Sequence, residues 1–229
     1  MEESADEDII RFDIGGTEHW KMSGARLETN NSGYSVFVGE EAGLNDDLSF
    51  NRNAFVGYQA GRSNTTGAYN TAIGERALRQ NLTGNYNTAQ GSNALYSNST
   101  GSQNVATGYY ALRTNVSGNY NSAYGTYSMR NNSTGSFNTA NGYYSLASNV
   151  TGSYNTASGS SSLRLNSTGT RNAAHGYGAL YFNTTGYQNS AIGMYAGYRN
   201  STGYHNSSVG YTSQFNISTG YQNSAVGVG

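Results

Sequence analysis

The stretch Gly67-Ala68-Tyr69-Asn70-Thr71-Ala72-Ile73-Gly74 opens a unit of seventeen residues that recurs ten times without an insertion. The unit closes on Asn81-Leu82-Thr83, and Gly84 opens the next copy. Each copy carries an asparagine three residues after its first glycine and a second glycine seven residues after it. The asparagines are Asn70, Asn87, Asn104, Asn121, Asn138, Asn155, Asn172, Asn189, Asn206 and Asn223. A fixed period with fixed glycines indicates one supersecondary unit stacked many times.

The length of the unit predicts an all-β fold, a parallel β-solenoid or β-roll of about 12 coils with 17-residue repeats. Helical repeats need roughly 33 residues or more, so they are excluded. We predict a first strand over 69–74 and a weaker second strand around 77–79, joined by Asn-x-Thr-Gly turns. The glycine of this turn, such as Gly84, is expected to supply a positive φ.

Strand parity separates an inner from an outer face in each coil. Asn70 and Ala72 share the face that we predict to be interior, and Tyr69 and Ile73 share the outer face. Stacked asparagines can hydrogen-bond along such a rod, as they do in cross-β assemblies. The predicted structural ladder therefore consists of the ten asparagines above and a leucine column, Leu78, Leu95, Leu112, Leu146, Leu163 and Leu180, with Met129 in the same column.

The chain divides into three predicted parts. Residues 1–33 form an acidic lead, 1–8, followed by a β-hairpin cap whose two arms flank Gly15-Gly16. Residues 34–66 hold two degenerate terminal coils at a period of eighteen, and residues 67–229 form the regular β-roll repeats. Because the array stops halfway round a coil, we expect the natural chain to continue or this end to be buried.

The composition of the 229 residues favours an assembled rod over a globular domain. Only 35% of the residues are hydrophobic, a level otherwise typical of disorder, and there is no proline to remove a ladder donor. One leucine per coil buries little apolar surface, so we predict that an outer face packs against other chains. The candidates for that contact are Ile73, Ile192, Val209 and Val226.

The segments Asn70–Gly74, Asn189–Gly193 and Asn223–Gly227 resemble the head repeats of trimeric autotransporter adhesins. Similar arrays occur in tail-fibre-like surface proteins. The resemblance implies a left-handed parallel β-roll in which three chains pack around one axis. The adhesin repeat is usually shorter than the seventeen residues found here, and the extra length lies in the turn.

Enzyme chemistry is poorly supported, so we expect no catalytic residues, no metal site and no cofactor. All 13 acidic residues lie between positions 2 and 75, and the regular array contains only His175 and His205 as further acid–base candidates. A calcium-binding β-roll needs repeated aspartates, and a zinc site needs clustered cysteine or histidine. No apolar run reaches the roughly 18 residues of a membrane span, so no membrane insertion by this chain is expected.

Two surface patterns are candidates for contact with other molecules. The predicted ligand or partner face comprises Arg79, Arg113, Arg130, Arg164, Tyr109, Tyr110, Tyr143 and Tyr144. Its arginines form either a basic stripe for anionic glycans or nucleic acid, or a column of cations lying over tyrosine rings. Asn-x-Ser/Thr sequons recur at Asn64, Asn81, Asn98, Asn115, Asn132, Asn149, Asn166, Asn183 and Asn200. They are glycosylation acceptors in a secretory route, or simply the residues that the turn requires.

These patterns lead to one favoured function and two alternatives. The favoured function is a non-enzymatic structural and adhesive rod, homotrimeric and displayed extracellularly on a cell surface or virion fibre. Its ligand-facing ladders would meet a receptor, either a host or matrix protein or a glycan. The first alternative is a self-assembling extracellular filament subunit that stacks end to end. The second is an ice-binding solenoid that uses the threonine column, Thr71, Thr88, Thr139 and Thr156.

Overall fold

The computed structural model describes the backbone of residues 9–14, 17–23, 26–29 and 31–228, and the side chains of 31–228. It contains a three-stranded antiparallel sheet and a twelve-stranded parallel sheet. The first sheet consists of β1 (Ile9–Ile14), β2 (Thr17–Ser23) and β3 (Arg26–Thr29). The second consists of β4 (Val36–Val38), β5 (Ala54–Val56), β6 (Thr71–Ile73), β7 (Thr88–Gln90), β8 (Val105–Thr107), β9 (Ser122–Tyr124), β10 (Thr139–Asn141), β11 (Thr156–Ser158), β12 (Ala173–His175), β13 (Ser190–Ile192), β14 (Ser207–Val209) and β15 (Ser224–Val226).

The first sheet contains the predicted hairpin. Strands β1 and β2 pair antiparallel from Ile9↔Ser23 to Ile14↔Thr17, with a register shift between Phe12 and Asp13. β3 adds to β2 as a third strand. The acidic lead and the Gly15-Gly16 turn lie outside the described residues, and the capping of the first coil by this sheet stays a prediction.

The second sheet confirms the parallel β-solenoid. Neighbouring strands pair in chain order from β4 to β15, so each coil contributes one strand and lies against the next coil. The regular register is seventeen residues, as in Ala72↔Ala89. The first pair is offset by eighteen, with Phe37 opposite Phe55, which is the period predicted for the two degenerate coils.

The predicted second strand around 77–79 is wrong. Residues 75–80 form a continuous turn, and Arg76 and Leu78 both take the left-handed conformation, with φ of 54°. Alternation of left- and right-handed residues is incompatible with an extended strand. The ladder between coils nevertheless continues, because the Leu78 N–H donates to the Ala94 carbonyl at 2.9 Å and the Gln80 N–H to the Tyr96 carbonyl at 2.9 Å.

The prediction that the turn glycine supplies a positive φ is also wrong. Gly84 does not have a positive φ. A Cβ on Gly84 would lie 2.5 Å from Asn81 Oδ1 and 2.8 Å from Asn98 Nδ2, so the position excludes any side chain. The left-handed glycine is the second one of the unit, Gly74, with φ of 132°. The turn glycine is therefore required by the close approach of neighbouring coils.

The core is a narrow stack of alanine and leucine. Ala72 and Leu78 are fully buried, and the same positions recur along the rod. In the degenerate coils the large and the small interior side chains exchange positions. A phenylalanine replaces the strand alanine at Phe55, while Gly61 replaces the leucine, and a Cβ on Gly61 would overlap the Phe55 ring. From the coil of Phe55 to that of Leu180, one large side chain per coil fills the interior, and it can come from either position.

Candidate functional site

The asparagines that recur once per coil before each strand form an inner ladder that begins at Asn53 and ends at Asn223. The Asn87 N–H donates to Asn70 Oδ1 at 2.9 Å, and Asn87 Nδ2 donates to the Gly101 carbonyl at 2.9 Å. In most coils Nδ2 also donates to the preceding amide, as Asn104 Nδ2 does to Asn87 Oδ1 at 3.2 Å. From Asn53 to Asn206, each amide oxygen thus accepts the backbone N–H of the next ladder asparagine, and the inner ladder is structural.

The sequon asparagines form a second, turn ladder that runs from Asn64 to Asn200. Asn98 Nδ2 donates to Asn81 Oδ1 at 2.7 Å and to the Gly101 carbonyl at 2.8 Å. All nine side chains are buried. Since both hydrogens of the amide nitrogen are used inside the rod, a glycan on this nitrogen is incompatible with the packing. The role of the turn accounts for the recurring sequon.

Both ladders begin at one carboxylate, Asp46, which the sequence pattern did not single out. Asp46 Oδ2 accepts hydrogen bonds from Asn53 Nδ2 and Asn64 Nδ2, each at 2.8 Å. Its other oxygen accepts one from Asn51 Nδ2 at 2.9 Å. A carboxylate is an acceptor only, so it is suited to the end of a ladder where donors are left over.

The predicted ligand or partner face contains an alternation of arginines and aromatic rings along the rod. We call it the Arg–Tyr belt and define it by Arg79, Tyr96, Tyr110, Arg113, Tyr127, Arg130, Tyr144, Arg164 and Tyr181. The guanidinium carbon of Arg113 lies 5.0 Å from the Tyr110 ring centre and 5.5 Å from that of Tyr96. Arg164 lies 4.6 Å from the Tyr144 ring centre, and its NH1 donates to the Tyr181 hydroxyl at 3.0 Å. These contacts match the expectation of cations lying over tyrosines.

Ionic partners distinguish the start of the rod from the rest. Arg62 pairs with Glu41 at 2.7 Å, and hydrogen bonds from Gln59 first and Arg62 second lower the pKa of Glu41. Arg76 lies 3.4 Å from Glu75. Arg79 of the belt contributes to lowering the pKa of Glu41. Across the described residues 31–228, Arg113, Arg130 and Arg164 have no carboxylate partner, and no carboxylate side chain follows Glu75. Their charge remains available to a ligand.

Tyr109 and Tyr143 lie beside the belt and are about half exposed. Each packs edge-on against the next residue, Tyr109 on Tyr110 at 4.2 Å and Tyr143 on Tyr144 at 4.5 Å between ring centres. A hydrogen bond with Tyr110 is the largest cause that raises the pKa of Tyr109. Burial and then the neighbouring Tyr144 raise the pKa of Tyr143. The four predicted tyrosines of the face are therefore brought together in two adjacent pairs.

A separate set of stacked rings is formed by left-handed residues that immediately precede the ladder asparagines. Tyr69 and Tyr86 stack with ring centres 4.9 Å apart and planes inclined by 6°. Phe137 and Tyr154 stack at 5.0 Å and 3°. These stacks lie along the coil axis, and parallel rings at this spacing contribute about 0.5–1.5 kcal/mol per pair. We assign them a packing role.

The outer face of the parallel sheet contains the remaining candidates. Ile73, Ile192 and Val226 are exposed there, Val209 is half-buried, and the same column is polar in the middle of the rod. His175 is exposed on this face. His205 instead packs edge-on against Tyr187 at 5.6 Å. In the part of the chain that the structure describes, no group of three or more histidine, cysteine or acidic side chains is placed to hold a metal ion.

Comparison with known proteins adds no family to these observations. The chain has no significant match among protein-family models, curated proteins or solved structures. Within the described ranges, no helix combines the length and hydropathy needed to cross a bilayer. The assignment therefore rests on the solenoid and its surface.

Proposed function

We propose that this chain is a non-enzymatic structural and adhesive rod, displayed outside the cell on a surface or virion fibre. The observation that carries the proposal is the in-register stacking of twelve coils, which holds exposed side chains at one spacing along the rod. Such a rigid surface offers the same contact many times, which suits binding to a receptor or glycan. The resemblance to adhesin head repeats supports the same reading.

Homotrimer formation is part of this proposal. The outer face of the sheet is apolar at both ends of the rod, with Val38, Val56 and Ile73 at one end and Ile192 and Val226 at the other. Exposed apolar patches of this kind mark surfaces that pack against other chains. We expect light scattering coupled to gel filtration to give a mass of three chains, and Ile73→Ser with Ile192→Ser to reduce it.

Adhesion is tested with beads coated with the whole chain. Coated beads should bind cells or extracellular matrix more strongly than albumin-coated beads, and soluble chain should compete. If the coated beads adhere no better than the albumin beads on any surface tried, the adhesive role is wrong. The trimer measurement is independent of this result.

End-to-end filament assembly is the second candidate, and the polarity of the inner ladder favours it. At the first coils Asp46 accepts the leftover donors, whereas Asn223 Oδ1 accepts no hydrogen bond from the described residues. All acidic side chains lie at or before Glu75, and the later coils carry only arginine charges. Regions of opposite charge on two chains attract each other. Electron microscopy separates the candidates, because filaments would grow with concentration while trimers keep a fixed length.

A further inference from the structure

Four tyrosines recur at one coil position in every second coil. Tyr109, Tyr143, Tyr177 and Tyr211 each follow the second glycine of the unit and are 44%, 54%, 49% and 50% exposed, respectively. We call them the alternate-coil row. Because the strands between them pair in register, successive members are two strand spacings apart, about 10 Å along the rod. The row therefore offers four aromatic sites in a line of roughly 30 Å.

The first two rings of the row are oriented by rings of the neighbouring column. The planes of Tyr109 and Tyr110 are inclined by 71°, and those of Tyr143 and Tyr144 by 86°. Tyr144 itself stacks on Tyr127 of the preceding coil, with planes 22° apart, so the ring planes of this column lie across the rod axis. The planes of Tyr109 and Tyr143 therefore run along the axis, which suits a ligand chain that lies lengthwise.

Tyr177 also has an edge-on ring contact, although its own coil lacks a supporting ring. The residue after Tyr177 is Gly178, and a Cβ there would lie 2.8 Å from Tyr195 Cδ1. Tyr195 from the next coil fills this space and meets the Tyr177 ring at 5.3 Å and 81°. A residue of the next coil thus supplies the contact that Tyr110 and Tyr144 supply to Tyr109 and Tyr143.

Positive charge accompanies the row on one side. Arg113 and Arg164 lie over Tyr110 and Tyr144, the rings that support Tyr109 and Tyr143. The Nε atoms of Arg113 and Arg130 are buried without a hydrogen-bond partner, and both guanidinium groups lie over tyrosine rings. No carboxylate side chain follows Glu75 to neutralise them. A ligand of this surface therefore needs flat apolar faces at a 10 Å repeat, about two strand spacings, and negative charge beside them.

We propose that the alternate-coil row and the Arg–Tyr belt bind an extended acidic polysaccharide of the β-1,4-linked uronate class, lying along the rod. In such a chain every second sugar presents the same face, a repeat that matches two coils. The apolar face of the sugar stacks on a row tyrosine, and the carboxylates face the arginines. This proposal rests on the proposed function, because it names the ligand of the displayed surface.

The test uses the whole chain and oligosaccharides of defined length. We expect isothermal titration calorimetry to show binding of β-1,4-linked mannuronate octamers. The affinity should rise with length up to the octamer and fall as sodium chloride is added. The double change Tyr143→Ala with Tyr177→Ala should weaken binding about 5- to 160-fold, from aromatic contact values for two rings. Tyr143→Phe with Tyr177→Phe should restore it, because the ring is what stacks.

The matched control is Tyr154→Ala. Tyr154 is exposed to the same extent as Tyr143, 54%, but it belongs to the flat stack on another part of the coil. The control should bind the uronate octamer like the unchanged chain. Circular dichroism should show that all variants keep their β content.

Three results would overturn the assignment. The variant with Tyr143→Ala and Tyr177→Ala could bind the uronate octamer as tightly as Tyr154→Ala, which would exclude the row as the binding site. A neutral β-1,4-linked mannan octamer could bind equally well, which would exclude the role of charge. Single-stranded oligothymidylate could be the sole ligand, since bases also stack on aromatic rings beside arginines. In each case adhesion of coated beads can persist, so failure of this assignment is distinguishable from failure of the adhesive role.

Discussion

Removal of one amide from the middle of the inner ladder, Asn138→Ala, measures what the ladder contributes. Asn138 Oδ1 is the acceptor for the Asn155 N–H at 2.9 Å, and this N–H has no other acceptor in the described chain. The Gly152 carbonyl loses one of its two donors but keeps Asn149 Nδ2 at 2.9 Å. Asn138 Nδ2 also donates to Asn121 Oδ1 at 3.1 Å. The substitution therefore orphans one buried donor and removes two further hydrogen bonds.

The expected loss follows from these three terms. An orphaned buried donor costs about 1–3 kcal/mol, and each lost hydrogen bond with a remaining partner costs about 0.5–1.5 kcal/mol. We expect the free energy of unfolding to fall by about 2–6 kcal/mol. Because coils interact only with their neighbours, the loss should be concentrated near the altered coil.

The assay combines urea denaturation with hydrogen exchange. Urea unfolding followed by circular dichroism gives the global change, and exchange of the Asn155 amide reports the local one. The control is Thr139→Ala, the next residue, which is exposed and should change stability by less than about 0.5 kcal/mol. If Asn138→Ala destabilises no more than Thr139→Ala, and the Asn155 amide stays protected, the ladder is not what holds the coils.

Three further perturbations test other parts of the rod. Gly118→Ala should destabilise the folded chain by about 1–3 kcal/mol through overpacking, because its Cβ would lie 2.5 Å from an asparagine oxygen. The control Val116→Ala, at an exposed position, should leave thermal unfolding nearly unchanged. Gly61→Leu alone should lower the melting temperature, and adding Phe55→Ala should restore it, because this coil has room for one large side chain. Additive effects in this double-mutant cycle would contradict the exchange. The lowered pKa of Glu41 predicts that its stabilising contribution, present above pH 4.5, is lost as the pH falls. Glu41→Gln should therefore flatten the acid limb of a curve of stability against pH. An unchanged acid limb would refute this.

Sequence periodicity was sufficient to predict the solenoid, because every coil must repeat the same backbone path for its strand to pair. Parity along one strand likewise placed Asn70 and Ala72 inside and Ile73 outside. The leucine turn was misjudged because side-chain type suggested a strand. Leu78 instead adopts a left-handed conformation, which costs an isolated leucine about 1–2 kcal/mol and is overridden here by burial and by contacts between coils.

The residues of the candidate site could be predicted from the sequence, but their arrangement could not. The period placed Arg113 and Arg130 in one column, but neither the interleaving with rings nor the edge-on pairs follows from spacing alone. These features depend on side chains from different columns meeting on the surface. The two-coil recurrence of Tyr143 and Tyr177 was visible in the sequence and becomes informative only once the coil rise is known. Asp46 could not be found from the period, because it lies before the regular array begins.

The polarity of the turn ladder gives the position of Asp46 a physical reason. In this ladder the amide nitrogen donates to the preceding coil and the oxygen accepts from the following one. Amide dipoles aligned in this way place partial positive charge at the first coil, as at the start of a helix. A carboxylate is favourable there, and Asp46 accepts the leftover donors. No acidic side chain follows Glu75, so the later coils keep the uncompensated positive charge that an acidic ligand requires.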